Sequence, residues 1–157
     1  MQKITPFLSF DTQAEEAAKF YTSVFRDSKI TTVSRYGDFD PNRAGQVMTV
    51  SFTLHGEEFI ALNGGPNFKF NESISFVVNC ETQQEVDELW DKLTDGGQEI
   101  ACGWLKDRYG LAWQIVPTFV WEAMKRGDAA KTNRMMSAVM QMKKLDVAEL
   151  QRAYEGK

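Results

Sequence analysis

Ile4-Thr5-Pro6-Phe7-Leu8-Ser9-Phe10-Asp11-Thr12-Gln13-Ala14-Glu15 returns seventy residues later as Ile74-Ser75-Phe76-Val77-Val78-Asn79-Cys80-Glu81-Thr82-Gln83-Gln84-Glu85. Few positions are identical, but the chemical order is the same. Each stretch reads as a strand, an acidic residue, a Thr-x-x-Glu capping box and the start of a helix. The Thr hydroxyl of such a box accepts from the third helical N–H, and the Glu reaches back toward the cap. The helical faces follow at a 3.6 period: Ala14, Ala17, Ala18, Tyr21, Val24 and Phe25 in the first copy, Val86, Leu89, Trp90 and Leu93 in the second. Gly96-Gly97 supplies the left-handed stop of the second helix.

Strands follow each helix. Lys29–Tyr36 is rich in Thr, Ile and Val. Gln46–Leu54 alternates, with Met48, Val50, Phe52 and Leu54 on one side, and His55-Gly56 turns the chain into Glu58–Asn63. In the second copy the strands are Gln98–Cys102, Trp104–Asp107 and Leu111–Val116. They are divided by Gly103 and by an Asp107-Arg108-Tyr109-Gly110 turn. The pattern predicts an α+β fold: two βαβββ units building a cupped mixed β-sheet, with C-terminal helices. The units are expected at 1–66 and 67–117, with a helical extension at 118–157, all in one structural domain. Thr118, Asp128 and the Asp146-x-x-Glu149 box are the expected caps of the extension.

Composition narrows the function classes. The chain has 157 residues, 43% apolar and 25% charged, as expected of a globular protein. A net charge of −4 leaves no basic footprint for nucleic acid. No apolar run approaches the ~20 residues of a membrane span. The N-terminus runs directly into a strand pattern, and two cysteines make no disulfide framework, so the expected location is cytoplasmic.

Paired βαβββ units resemble the vicinal-oxygen-chelate superfamily, the glyoxalase/bleomycin-resistance/dioxygenase type. Phe59-Ile60-Ala61-Leu62-Asn63-Gly64-Gly65-Pro66, Phe68-Lys69-Phe70-Asn71 and Ile74-Ser75-Phe76 are similar to its PhnB-like branch, labelled 3-demethylubiquinone-9 3-methyltransferase. The same holds for the segment from Cys102-Gly103-Trp104 to Gln114-Ile115 and for Gln141-Met142-Lys143-Lys144-Leu145-Asp146. The resemblance implies a ligand cup. Metal-using relatives place His or Glu on the cup face of four strands. Here the matching positions carry Thr5 and Pro6, Ser73 and Ser75, Ala61, and Gln114, and the one histidine, His55, sits in a turn. None is a usual strong ligand, so no metal is expected.

Strand alternation assigns Ile4, Pro6, Leu8, Phe10, Ile74, Phe76, Val78 and Cys80 to the helix side. Thr5, Phe7, Ser9, Ser75, Val77 and Asn79 fall on the cup side, which Ala61, Asn63, Ala112 and Gln114 are expected to complete. The expected ligand-binding residues are Thr5, Phe7, Asn63, Ser75, Trp104 and Gln114, around a small organic molecule. The alternative is that their polar groups only satisfy one another.

No cofactor is expected. Both strand-to-helix turns, Asp11-Thr12 and Glu81-Thr82, lack the glycines that a nucleotide-like cofactor requires, and methyl transfer has no motif behind it. Cys102 has no histidine near it in sequence to activate it as a nucleophile. Three other readings stand beside the binding protein. One is a metal-independent enzyme using Gln114, Asn63 and Asp107; another is the methyl transfer of the family label; the third is an assembly module. Five of seven methionines lie between Met124 and Met142. They pack either on the chain's own sheet or on a partner. The resemblance and an exposed Met135/Met136/Met140 face together predict a homodimer.

Overall fold

The structure, a computed structural model, describes residues 1–157. The chain divides into two compact units, Met1–Lys69 and Phe70–Lys157.

The first unit contains β1 (Phe7–Phe10), α1 (Ala14–Val24), β2 (Lys29–Arg35), β3 (Val47–Leu54) and β4 (Glu57–Asn63). Its sheet runs β1-β4-β3-β2, with β1 parallel to β4 and the other pairs antiparallel. His55 and Gly56 both take positive φ, as the tight β3–β4 turn requires. The apolar stripe Ala14, Ala17, Ala18, Tyr21 and Val24 is buried. It faces the side of the sheet that carries Leu8, Phe10, Val50, Phe52, Phe59 and Ala61. The Phe52 ring stacks on Phe59 and on Tyr21, with centroids 5.5 and 6.2 Å apart. Burying a side chain such as Phe52 contributes about 1.5–3 kcal/mol.

The α1 cap departs from expectation. Gln13, not Thr12, is the N-cap, and no side chain of its own segment caps it. The Ala14 amide donates instead to Oδ1 of Asn63 at 2.8 Å. Glu15 pairs with Lys19.

The second unit contains β5 (Ser75–Cys80), α2 (Gln83–Thr94), β6 (Gln98–Glu99), β7 (Trp104–Lys106), β8 (Ala112–Pro117), α3 (Thr118–Lys125), α4 (Ala129–Val139) and α5 (Val147–Glu155). The sheet order, β5-β8-β7-β6, repeats that of the first unit, with β5 parallel to β8. Here the capping box forms: Thr82 accepts from the Glu85 amide, and Glu85 accepts from the Glu81 amide. Val86, Leu89, Trp90 and Leu93 are buried on the side of the sheet that carries Cys80, Leu105, Trp113 and Ile115.

The tail belongs to this unit's core. Val116, Val120, Ala123, Met135, Val139, Leu145, Leu150 and Tyr154 form one buried cluster, with Met136 and Met142 packed against it. The expected Met135/Met136/Met140 surface therefore does not exist as one face. Met135 is fully buried and Met140 is exposed. Asp128 and Asp146 cap α4 and α5 as expected, whereas Pro117, not Thr118, is the N-cap of α3. No helix is long and apolar enough to cross a membrane.

The segment between α4 and α5 is strapped to the turn before β7. The Cys102 and Gly103 amides donate to the carbonyls of Met142 and Lys143, each at 2.8 Å. Gly103 has a φ of +84°, and an added Cβ would lie 3.1 Å from Leu145 and from the Ile115 carbonyl. On the other side of the strap, Gln83 donates to the Leu145 carbonyl and accepts from the Val147 amide. Lys144 pairs with Asp87 at 2.9 Å.

Candidate functional site

Register fixes what each sheet face carries. In the second unit Val77 lies beside Gln114, Ser75 beside Ala112, and Trp104 beside Gln114 on the other side. Paired residues share a face, so Ser75, Val77, Asn79, Trp104, Lys106 and Gln114 all stand on the side away from α2. The expected parity of Gln114 is correct. Its Nε2 donates to the Ser75 hydroxyl at 2.9 Å. Gln114, Ser75 and Trp104 are all partly exposed. Lys106 on the same face pairs with Glu72 and holds that carboxyl below the usual range.

A side chain that sequence reasoning missed borders this face. The Trp121 indole N–H, from α3, donates to Oδ1 of Asn79 at 2.8 Å. Thr118, Trp121, Glu122 and Lys125 then line a pocket of about 560 Å³ together with Val77 and Asn79. The signal was present: these four fall at i, i+3, i+4 and i+7 of one helix, opposite the buried Val120 and Ala123.

In the first unit the expected residues separate. Phe7 stands on the face away from α1 and is 54% exposed. Ile60, Leu62, Ser9, Thr49 and Ser51 share that face. Thr5 precedes β1 and is partly exposed. Asn63 is on the other side, in register with the buried Phe10, and so is Ala61, paired with Leu8 and Val50. Ile60, not Ala61, is the counterpart of Gln114.

Asn63 is instead a junction: beyond the Ala14 bond, its Nδ2 donates to the Val47 carbonyl at 3.1 Å. Its own carbonyl accepts from the Tyr36 hydroxyl at 2.6 Å and from Arg43 at 3.4 Å. A second pocket, of about 430 Å³, lies beside it, between Asp11, Thr12, Glu15, Tyr36, Arg43 and Gln46. Arg43 covers the Tyr36 ring at 4.1 Å and bonds Asp40 at 2.7 Å. That bond lowers the Asp40 pKa and raises that of Arg43.

Ile4 and Ile74, expected against the helices, are 84% and 71% exposed. Both lie just before their strands, where the α1 and α2 contacts have not begun.

Asp107 is 3% exposed. Its Oδ1 accepts from the Tyr109 and Leu111 amides, and its Oδ2 accepts from the Trp113 indole at 2.9 Å. It therefore organises the β7–β8 turn. Cys102 has a φ of +58°, and its sulfur lies 3.8 Å from that of Met140.

The chain's turns do not fit a nucleotide-like cofactor. The start of α1 is occupied by Asn63 and that of α2 by Thr82. The Gly64 and Gly65 amides donate to the Phe10 and Asp11 carbonyls. No three His, Cys, Asp or Glu side chains gather into a group that could hold a metal ion.

The family model for 3-demethylubiquinone-9 3-methyltransferase matches residues 2–116. Among solved structures, a Bacillus cereus protein described as a putative 3-demethylubiquinone-9 3-methyltransferase, PhnB protein, is 40% identical, with a TM-score of 0.67. The match covers 74% of this chain and 99% of that one. Protein PA1353 of Pseudomonas aeruginosa shares the fold at 20% identity and a TM-score of 0.61, over 74% of this chain and 98% of its own. A genomically encoded fosfomycin resistance protein, FosX, from Listeria monocytogenes does so at 15% identity and 0.55, over 80% and 98%. None of the curated proteins matches the chain. On these matches and on its two βαβββ units, the chain belongs to the PhnB-like family described as 3-demethylubiquinone-9 3-methyltransferase.

Proposed function

We propose that the protein binds a small organic molecule on the open face of its second sheet, without a metal, in the cytoplasm. The observation that carries this reading is the Gln114–Ser75 pair. Gln114 is held by one hydrogen bond, remains partly exposed, and is paired in register with Trp104 on a face with no gathered ligand set. Such a face offers a few fixed polar groups among apolar ones, which is how small-molecule sites are built. Phe7 and Thr5 serve the matching face of the first unit. Asn63, bonded on both side-chain ends, serves architecture. The metal-independent enzyme reading loses two of its three groups, because Asn63 and Asp107 are committed to the backbone. Two free cysteines accord with a reducing compartment.

The test is native mass spectrometry of untagged protein to identify a retained compound, followed by its titration into wild type and Gln114→Leu. The variant should bind about tenfold more weakly, the loss of one polar contact being worth about 1–3 kcal/mol. A fall in melting temperature with binding unchanged would make Gln114 structural. One bound transition metal per chain would end the metal-free reading.

A homodimer is the accompanying proposal. Ile4 and Ile74 are exposed, as are Phe7 and Val77, and each pair occupies equivalent places in the two repeats. Exposed apolar residues next to one another on and just before a strand give each unit an apolar edge that a partner could cover. Light scattering at micromolar concentration should give twice the chain mass, and Ile4→Lys with Ile74→Lys should give one chain mass.

A further inference from the structure

We infer that α3 turns the open face of the second sheet into a site for planar aromatic acids, with Trp121 as the stacking wall and Lys125 as the acid's partner. The inference rests on the small-molecule reading above and names its ligand class.

The wall is fixed before any ligand arrives. The Trp121 indole spends its one donor on Asn79, which sets the ring's orientation, yet the residue stays more than one-third exposed. An aromatic surface held in place and left accessible favours another flat ring. Val77, 40% exposed, supplies an apolar floor. A volume of about 560 Å³ suits a compound of one or two rings.

Thr118 is bonded to Glu81 and Trp121 to Asn79, but two polar groups of the pocket are unspent. The Asn79 side chain accepts from Trp121 and has no partner for its own amide N–H groups. Lys125 makes no ion pair, although Glu122 stands one helical turn before it in the same pocket. A carboxylate or phenolate on the ring would be met by the Lys125 ammonium and the Asn79 amide. Glu122 repels a second negative charge and accepts from a ring hydroxyl. The chemistry therefore selects a hydroxylated aromatic acid over a dianion or an aliphatic acid. All four α3 residues lie beyond the 2–116 stretch matched by the family model, so this wall is an addition to the matched fold.

The test uses the full chain and 6-hydroxy-2-naphthoate, titrated calorimetrically, with the corresponding carboxamide and cyclohexanecarboxylate as comparisons. The acid should bind saturably at one site per chain, and both comparison compounds should bind about tenfold more weakly. Lys125→Met should abolish the preference for acid over amide. Trp121→Leu should weaken the acid about tenfold, and Trp121→Phe should restore most of the loss. Lys125 is exposed, so its variant decides the matter even if Trp121→Leu fails to fold. Absence of saturable binding by wild type, or equal binding by Lys125→Met and wild type for both acid and amide, overturns the inference. A retained compound whose binding falls with Gln114→Leu but not with either α3 variant also overturns it, and leaves the sheet-face reading standing. Loss of that compound's binding in the α3 variants, with Gln114→Leu unchanged, supports α3 and sinks the role of Gln114.

Discussion

The amide of Ala14 and the side-chain oxygen of Asn63, forty-nine residues apart, are joined at 2.8 Å. A strand end thus caps a helix that precedes it by three elements, and the same Asn63 side chain also holds β3 through the Val47 carbonyl.

Asn63→Leu should therefore destabilise the first unit by about 2 kcal/mol or more, since losing the cap on Ala14 costs about 0.5–2 kcal/mol and leaving the Val47 carbonyl without its donor about 1–3 kcal/mol. Asn63→Asp keeps the acceptor for Ala14 and adds a charge that a helix N-terminus tolerates, so it should lose less. Urea unfolding measures both. Equal stability in all three proteins would remove Asn63 from the architecture.

Asp87 links the strap to α2. Its carboxyl is held below the usual range, first by the Gln83 hydrogen bond and then by Lys144, and the Lys144 ammonium is raised by the same contact. A depressed carboxyl lends stability above its unfolded value and loses it as pH falls through the folded one. A raised lysine lends stability below its unfolded value and loses it as pH rises through the folded one. The urea midpoint of wild type should exceed that of Asp87→Asn at neutral pH. The gap should close below about pH 4, where an ordinary Asp protonates. A gap independent of pH would contradict this.

Cys80 is fully buried, and burial, with the charges of Glu85 and Glu81, pushes its thiol up to about 12. Native protein should present one reactive thiol to an aromatic disulfide reagent, at the partly exposed Cys102, and a second only on unfolding. The buried thiol also makes stability fall as pH rises above about 8.5, where an unfolded Cys ionises while Cys80 stays neutral. Cys80→Ala should flatten that alkaline limb. Two thiols reacting at one rate in native protein would overturn the assignment.

What the sequence made legible follows from how local each signal is. Both βαβββ orders, and the Thr82 and Asp146 caps, rest on residues a few positions apart. The side taken by Gln114 was readable because the Asp107-to-Gly110 turn anchors β8. The side taken by Asn63 was not. Phe59-Ile60-Ala61-Leu62 is continuously apolar and hides its alternation, and the repeat offset changes between the first and last strands. The missing Thr12 cap has the same origin, since its replacement comes from a residue distant in sequence. The methionines declared a packing stripe but not what it packs on, and the answer, Val116 and the strap, depends on tertiary structure.

The strap has a consequence for where this chain could be shortened. Cut after Pro117, it would bare Val116 and leave the Cys102 and Gly103 N–H groups without their carbonyls. The Bacillus cereus relative matches along 99% of its own length yet reaches only 74% of this one. Wherever a relative lacks the strap, those two donors fall to water or to a different surface. Excising the tail here would therefore unmake part of the second unit rather than trim an appendage.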